Sequence, residues 1–147
     1  MPGPAVHLHL SMYWAIDEGV SPGEAEAIGT ADILVDELWP GSRKRWRHFN
    51  PPASLIFGPL ELRRAVRADR SGDRAGALTH LGRALHSLQD AVGHGRLGLN
   101  HLAWDVGLLK RNPDDWDLMP APVQERIERA TRRALRSFLE RTNARPA

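Results

Sequence analysis

Arg74-Ala-Gly-Ala-Leu78-Thr-His80-Leu81-Gly-Arg-Ala-Leu85-His86-Ser-Leu88-Gln-Asp90-Ala-Val92-Gly93 is the most strongly periodic stretch of the chain. Its large apolar residues, Leu78, Leu81, Leu85, Leu88 and Val92, recur at alternating steps of three and four. That spacing predicts a helix with one buried stripe. Gly93 and Gly95 mark its end. His86, Asp90 and His94 run at steps of four along another line of the same helix, roughly 120–200° from the leucine stripe at 100° per residue. The reading therefore places these histidines off the core.

Working outward, the same period continues. Upstream, a helix is expected from about Pro59 to Ser71-Gly72, after a loop over 40–58 that holds three prolines and two glycines. Ser21-Pro22-Gly23-Glu24 reads as a helix start, with Ser as N-cap, Pro in the first position and Glu at the capping-box offset. That helix runs to about Trp39, where Pro40-Gly41 stops it. Before it, residues 5–18 carry apolar positions without strand alternation, ending near Gly19. Downstream, Leu99, Leu102, Val106 and Leu109 predict a shorter helix, and Asn112-Pro113-Asp114-Asp115 a turn. Residues 121–141 place Val123, Ile127, Ala130, Ala134 and Phe138 on one side and Arg on the other. Nothing reads as a strand or an internal repeat. The fold class expected is all-α: a single compact domain over 1–147, of about six helices, with a metal cleft between them.

The chain has 147 residues, 41% of them apolar, which suits one domain with a real core. It has no cysteine, which excludes disulfides, thiolate metal sites, iron–sulfur clusters and a cysteine nucleophile. No apolar run approaches a membrane span, so no transmembrane segment is expected. The opening Met1-Pro-Gly-Pro-Ala-Val-His7 has neither a basic region nor an apolar stretch. The expectation is a cytoplasmic protein if Met1 is native, and a secreted one if a signal peptide was removed. Charge is uneven: residues 1–42 hold seven acids and no Lys or Arg, while residues 43–147 hold all 20 cations, 18 of them Arg, against 11 acids. The basic part is read either as a solvated surface or as a face for anionic partners.

The chemistry lies in the histidines. His86-x-x-x-Asp90 puts an imidazole and a carboxylate on one helix face, His94 follows one turn later, and His101-x-x-x-Asp105 repeats the spacing. Such pairs are either ordinary helix-surface contacts or zinc ligands delivered from rigid elements. Small residues, Ala75, Thr79, Gly82 and Gly93, flank the line, as does Arg83, read as a solvated charge or a phosphate contact. His9 and His80 have no partner by spacing and are read as structural.

Gly82-Arg-Ala-Leu-His86-Ser-Leu-Gln-Asp90, followed by His94 and His101-x-x-x-Asp105, resembles the zinc-dependent phospholipase C and single-strand-specific nuclease superfamily. Arg47-His48-Phe49-Asn50-Pro51 resembles the segment those enzymes carry before the long ligand helix. His7-Leu-His-Leu-Ser11 and Ile28-Gly-Thr-Ala-Asp-Ile-Leu-Val-Asp36 resemble their N-terminal His helix and the Asp helix after it.

The resemblance implies an all-helical fold with two or three zinc ions. By position, His48, His86 and Asp90 would hold one ion, His94, His101 and Asp105 a second, and His7 with Asp36 would contribute to a third. Asp36 competes with Asp32, and His7 with His9. Family members complete the third site with an N-terminal Trp, whereas here Met1 precedes His7 by six residues. The implied reaction is hydrolysis of a phosphodiester, in a phospholipid, a nucleic acid or a small phosphoester. Asp36 and Asp90 are the catalytic candidates, and Arg47 and Arg83 the candidate substrate contacts. The competing expectation is a non-enzymatic, arginine-rich helical module that binds nucleic acid or acidic lipid around structural metal.

Overall fold

The computed structural model describes residues 5–38, 51–93 and 116–143, with Ala5, Glu37, Leu38 and residues 51–55 described by their backbone alone. The described residues are all-α. A π-helical turn, Ala5–Leu10, leads into α1, Ser11–Asp17; α2 is Pro22–Leu38, α3 Pro51–Arg70, α4 Arg74–Gly93 and α5 Ala121–Asn143, preceded by a 3₁₀ turn at Trp116–Leu118. Among the described residues there are five α-helices, where about six were expected over the whole chain. The one expected around 99–109 lies outside the described residues.

The helix starts and stops follow local chemistry. Ser21 donates a 3.0 Å hydrogen bond to the Glu24 carboxylate at the start of α2, so the two residues of the capping pattern meet there side chain to side chain. Gly19 and Gly72, with φ of +93° and +87°, close α1 and α3 in the left-handed conformation that glycine adopts without strain. One expectation is corrected. α3 begins at Pro51, inside the stretch read as a loop, and runs through Pro59. Prolines in a first helical turn give up N–H groups that have no intrahelical partner anyway. Past Pro59, the packing of Leu62, Ala65 and Val66 into the core sustains the helix.

α4 is the centre of the fold, packed against α2, α3, α5 and the π turn. Leu78, Leu81 and Leu85 join Ile28, Ala65, Val66, Ile127, Leu135 and Phe138 in one core cluster. Trp14 is part of it and meets Trp116 edge-on, ring centroids 6.0 Å apart. Because α4 is surrounded, its polar line is buried too: His86 and Asp90 are at most 2% exposed. The inference that they lie off the core is therefore wrong. They are off the leucine stripe, yet a second layer, α2 and the π turn, covers them.

Gly82 explains how α2 comes so close. A Cβ there would stand 2.7 Å from the Ala31 Cβ and 2.9 Å from the Asp32 backbone nitrogen, and closer still to the Ile28 carbonyl oxygen. Backbone against backbone, α2 delivers Asp32 and Asp36 to the histidine side of α4. Among the described residues, no helix is long and apolar enough to cross a membrane.

Candidate metal centre

Three elements converge at one end of this packing. The π turn supplies His7, α2 supplies Asp32 and Asp36 one turn apart, and α4 supplies His86 and Asp90 one turn apart. A π turn widens the backbone locally and often carries functional side chains. The two imidazoles stack with centroids 4.2 Å apart and planes 30° from parallel.

Their Nε2 atoms face the same two carboxylates. His7 Nε2 lies 3.6 Å from Asp90 Oδ1 and 3.9 Å from Asp36 Oδ2. His86 Nε2 lies 3.3 Å from Asp90 Oδ2 and 3.6 Å from Asp36 Oδ1. Each carboxylate thus turns one oxygen toward each imidazole. Donors about 2.0–2.2 Å from a tetrahedral ion stand roughly 3.3–3.6 Å from one another, and the observed spacings fall in or near that range. His7 Nε2 is buried without a hydrogen-bond partner, an atom type that rarely goes unpaired in a folded interior. His7, His86 and Asp90 form the one group found among the described residues whose ligand atoms, all within 4.8 Å of one another, suit a metal ion.

Behind the rings stands Asp32, fully buried. Its Oδ1 lies 2.9 Å from His7 Nδ1 and 3.3 Å from His86 Nδ1. A carboxylate behind a ligand imidazole is the usual outer support of a metal-binding histidine. The choice between Asp32 and Asp36 resolves into two jobs: Asp36 faces the Nε2 atoms and Asp32 the Nδ1 atoms. Three buried or nearly buried carboxylates around two imidazoles also need positive charge. Burial by itself would push the His86 imidazole down, but Asp90, Asp32 and Asp36 outweigh it and hold the group well above its ordinary pKa. On donor type, spacing and charge, the residues fit a divalent ion such as zinc.

The structure thus joins residues that the resemblance had assigned to different ions: His7 and Asp36 meet His86 and Asp90 in a single cluster. The reason is the stacking of the two imidazoles, which no spacing along the chain encodes. His48, His94, His101, Asp105 and Arg47 lie outside the described residues. His9 is exposed, which leaves His7 as the member of that pair at the site. His80, read as having no partner, holds the buried Glu61 carboxylate of α3 at 2.6 Å, where Arg64 joins it. Arg83 is half-buried, one turn before His86, and lines a cavity of about 440 Å³ with Gly23, Ala27, Leu34, Val35 and Thr79.

Sequence reasoning missed Ser11, Gln89 and Thr131. Ser11 donates to Asp32 Oδ2 at 2.7 Å, and Gln89 Oε1 lies 2.7 Å from His7 Nδ1. A signal existed for Gln89: it follows Leu85 by four and so falls on the edge of the leucine stripe, where a polar residue needs a buried partner. Compared with known proteins, the chain matches no family model, no curated protein and no solved structure.

Proposed function

We propose that the chain is a zinc-dependent hydrolase of phosphodiester bonds, of phospholipase C or single-strand nuclease type. The observation that carries this reading is the convergence of the His7 and His86 Nε2 atoms on the split carboxylates of Asp36 and Asp90. His7, His86, Asp90 and Asp36 would hold the metal, with the Asp32 carboxylate close behind both rings. The described residues offer one such donor set, and the resemblance implies two or three ions. Bound there, a divalent ion supplies charge to the phosphodiester oxygens and a nucleophile usable at neutral pH.

The chain's own groups do the rest. Asp36, with 10% of its side chain exposed, is the member nearest solvent, so it is the carboxylate suited to take a proton from the attacking water. Asp90 balances the charge between the two imidazoles. Arg83, one turn before His86, is the phosphate contact that the resemblance implies; the cavity it lines with Glu26 includes none of the metal-centre residues. The burial of the set keeps these charges in a medium where they act strongly.

One observation favours a second reading. Four protein groups surround the centre and three of them are almost wholly buried, as in a closed, structural metal site. The arginine-rich helices would then bind nucleic acid or acidic lipid without turnover. Assay of the zinc-loaded chain on bis-p-nitrophenyl phosphate, short single-stranded DNA and phospholipid decides between them. The hydrolase reading expects turnover that a chelator abolishes and zinc restores. Absence of turnover on all three, with metal content verified, establishes the second reading, for which nucleic-acid affinity should fall steeply with salt.

A further inference from the structure

Gln89 sits at the centre of a buried hydrogen-bond network whose directions can be worked out bond by bond. The Thr131 hydroxyl donates to the Ile127 carbonyl at 2.9 Å. The Ser11 hydroxyl donates to Asp32 Oδ2 at 2.7 Å, with the Val6 carbonyl 3.2 Å away. Both hydroxyl protons are therefore committed to groups that can only accept. The oxygens of Ser11 and Thr131 must in turn accept from the Gln89 amide, and they lie 2.7 and 3.2 Å from its Nε2. This fixes the amide: its NH₂ points at the two hydroxyls and its Oε1 points at His7 Nδ1, 2.7 Å away. An amide oxygen can only accept, so Nδ1 must carry the hydrogen. The Asp32 oxygen beside it is close, at 2.9 Å, but not aligned to accept that hydrogen. The lone pair of the neutral ring is left on Nε2, the atom facing Asp36 and Asp90.

We infer that Gln89 is a positioning residue, clamped by Ser11 of α1 and Thr131 of α5, that fixes the tautomer and orientation of His7 and so presents its Nε2 to the metal. The inference rests on the metal-centre reading for its purpose, though the tautomer can be read without metal. His7, Ser11, Gln89 and Thr131 are all fully buried. With the Gln89 amide oxygen and nitrogen both engaged, this network admits one arrangement of the amide. It also ties the far helix, α5, to the ligand set through a single side chain. Outer partners of this type typically change metal affinity 10- to 100-fold when removed.

The test uses the full chain and Gln89→Met, which keeps the length of the side chain and removes both amide groups. The ¹⁵N shifts of the His7 ring are read in metal-free protein at alkaline pH, and zinc affinity by competition with a chromophoric chelator. The unaltered chain should show a single Nδ1–H tautomer. Gln89→Met should show a mixed or reversed tautomer and an affinity about 10- to 100-fold lower, with helicity retained. An Nε2–H tautomer in the unaltered chain, or a Gln89→Met variant with the same tautomer and affinity, overturns the inference. Should Gln89→Met fail to fold, Thr131→Val removes one clamp and leaves the amide. A several-fold loss of zinc affinity then supports the role, and an unchanged affinity overturns it. An unaltered chain that takes up no zinc defeats the metal-centre reading alone, and the tautomer still decides the claim for Gln89.

Discussion

His86 holds a proton more tightly than an ordinary histidine because Asp90, Asp32 and Asp36 outweigh the cost of its burial. A metal ligand must give that proton up. At the proposed centre, proton and metal would therefore compete for Nε2, and the raised pKa would extend the competition upward in pH. Below the His86 pKa, zinc affinity should rise about tenfold per pH unit as one proton is displaced, and above it the slope should flatten. Calorimetric titration in buffers of different ionisation enthalpy would show the proton released. Affinity independent of pH between mildly acidic and alkaline conditions would mean that His86 is not a ligand. At this scale the sequence was informative in part. The step of four between His86 and Asp90 is visible in any listing of the chain. The contact between His7 and Gln89, 82 residues apart, depends on tertiary packing that local spacing does not encode.

α4 was the most legible element, since its leucine period agrees with its observed limits, Arg74–Gly93. What period could not convey was that a second layer covers the polar line. The clue was Gly82 among the small residues beside that line. Adding a methyl there sets it against the Ala31 Cβ and the α2 backbone, which cannot step aside as a flexible side chain would. Gly82→Ala should gain about 1 kcal/mol of helix propensity and lose more to overpacking, about 1–3 kcal/mol, for a small net destabilisation. Because the strain pushes α2 outward, Asp32 and Asp36 should move from the histidines, and zinc affinity should fall more than stability does. Denaturant melts beside zinc titrations check this. A variant as stable as the parent with equal zinc affinity would contradict the close approach of α2 and α4. The start of α3 was illegible for the opposite reason: Pro51 and Pro52 read as loop and Pro59 as the first helical position, whereas the helix begins at Pro51 and runs through Pro59.

Across the whole molecule, the charge asymmetry acquires an internal meaning. Arg74 pairs with Glu24 at 2.7 Å, Arg132 with Glu18 at 3.0 Å and Arg136 with Glu18 at 2.6 Å. The acidic first third is thereby fastened to the basic remainder, and Glu18 is held below its usual pKa chiefly by Arg136 and, against some desolvation, by Arg132. Part of the arginine excess thus serves the fold rather than an external partner. The proposed metal centre would join the same regions by another route, since its candidate donors come from the π turn, α2 and α4. An ion bound only by the folded chain should add about 2.7 kcal/mol at a free concentration 100 times its Kd.

The most direct measurement is metal content per chain, by elemental analysis after zinc reconstitution, of the unaltered protein beside Asp90→Asn. That substitution keeps size and helix register but removes the carboxylate charge shared by the two imidazoles. The unaltered chain should carry about one equivalent or more and lose thermal stability when chelated, whereas Asp90→Asn should bind at least ~10-fold more weakly, about 1.4 kcal/mol. Less than about half an equivalent in the unaltered protein, or equal content and affinity in Asp90→Asn, would contradict a metal centre at His7, Asp36, His86 and Asp90.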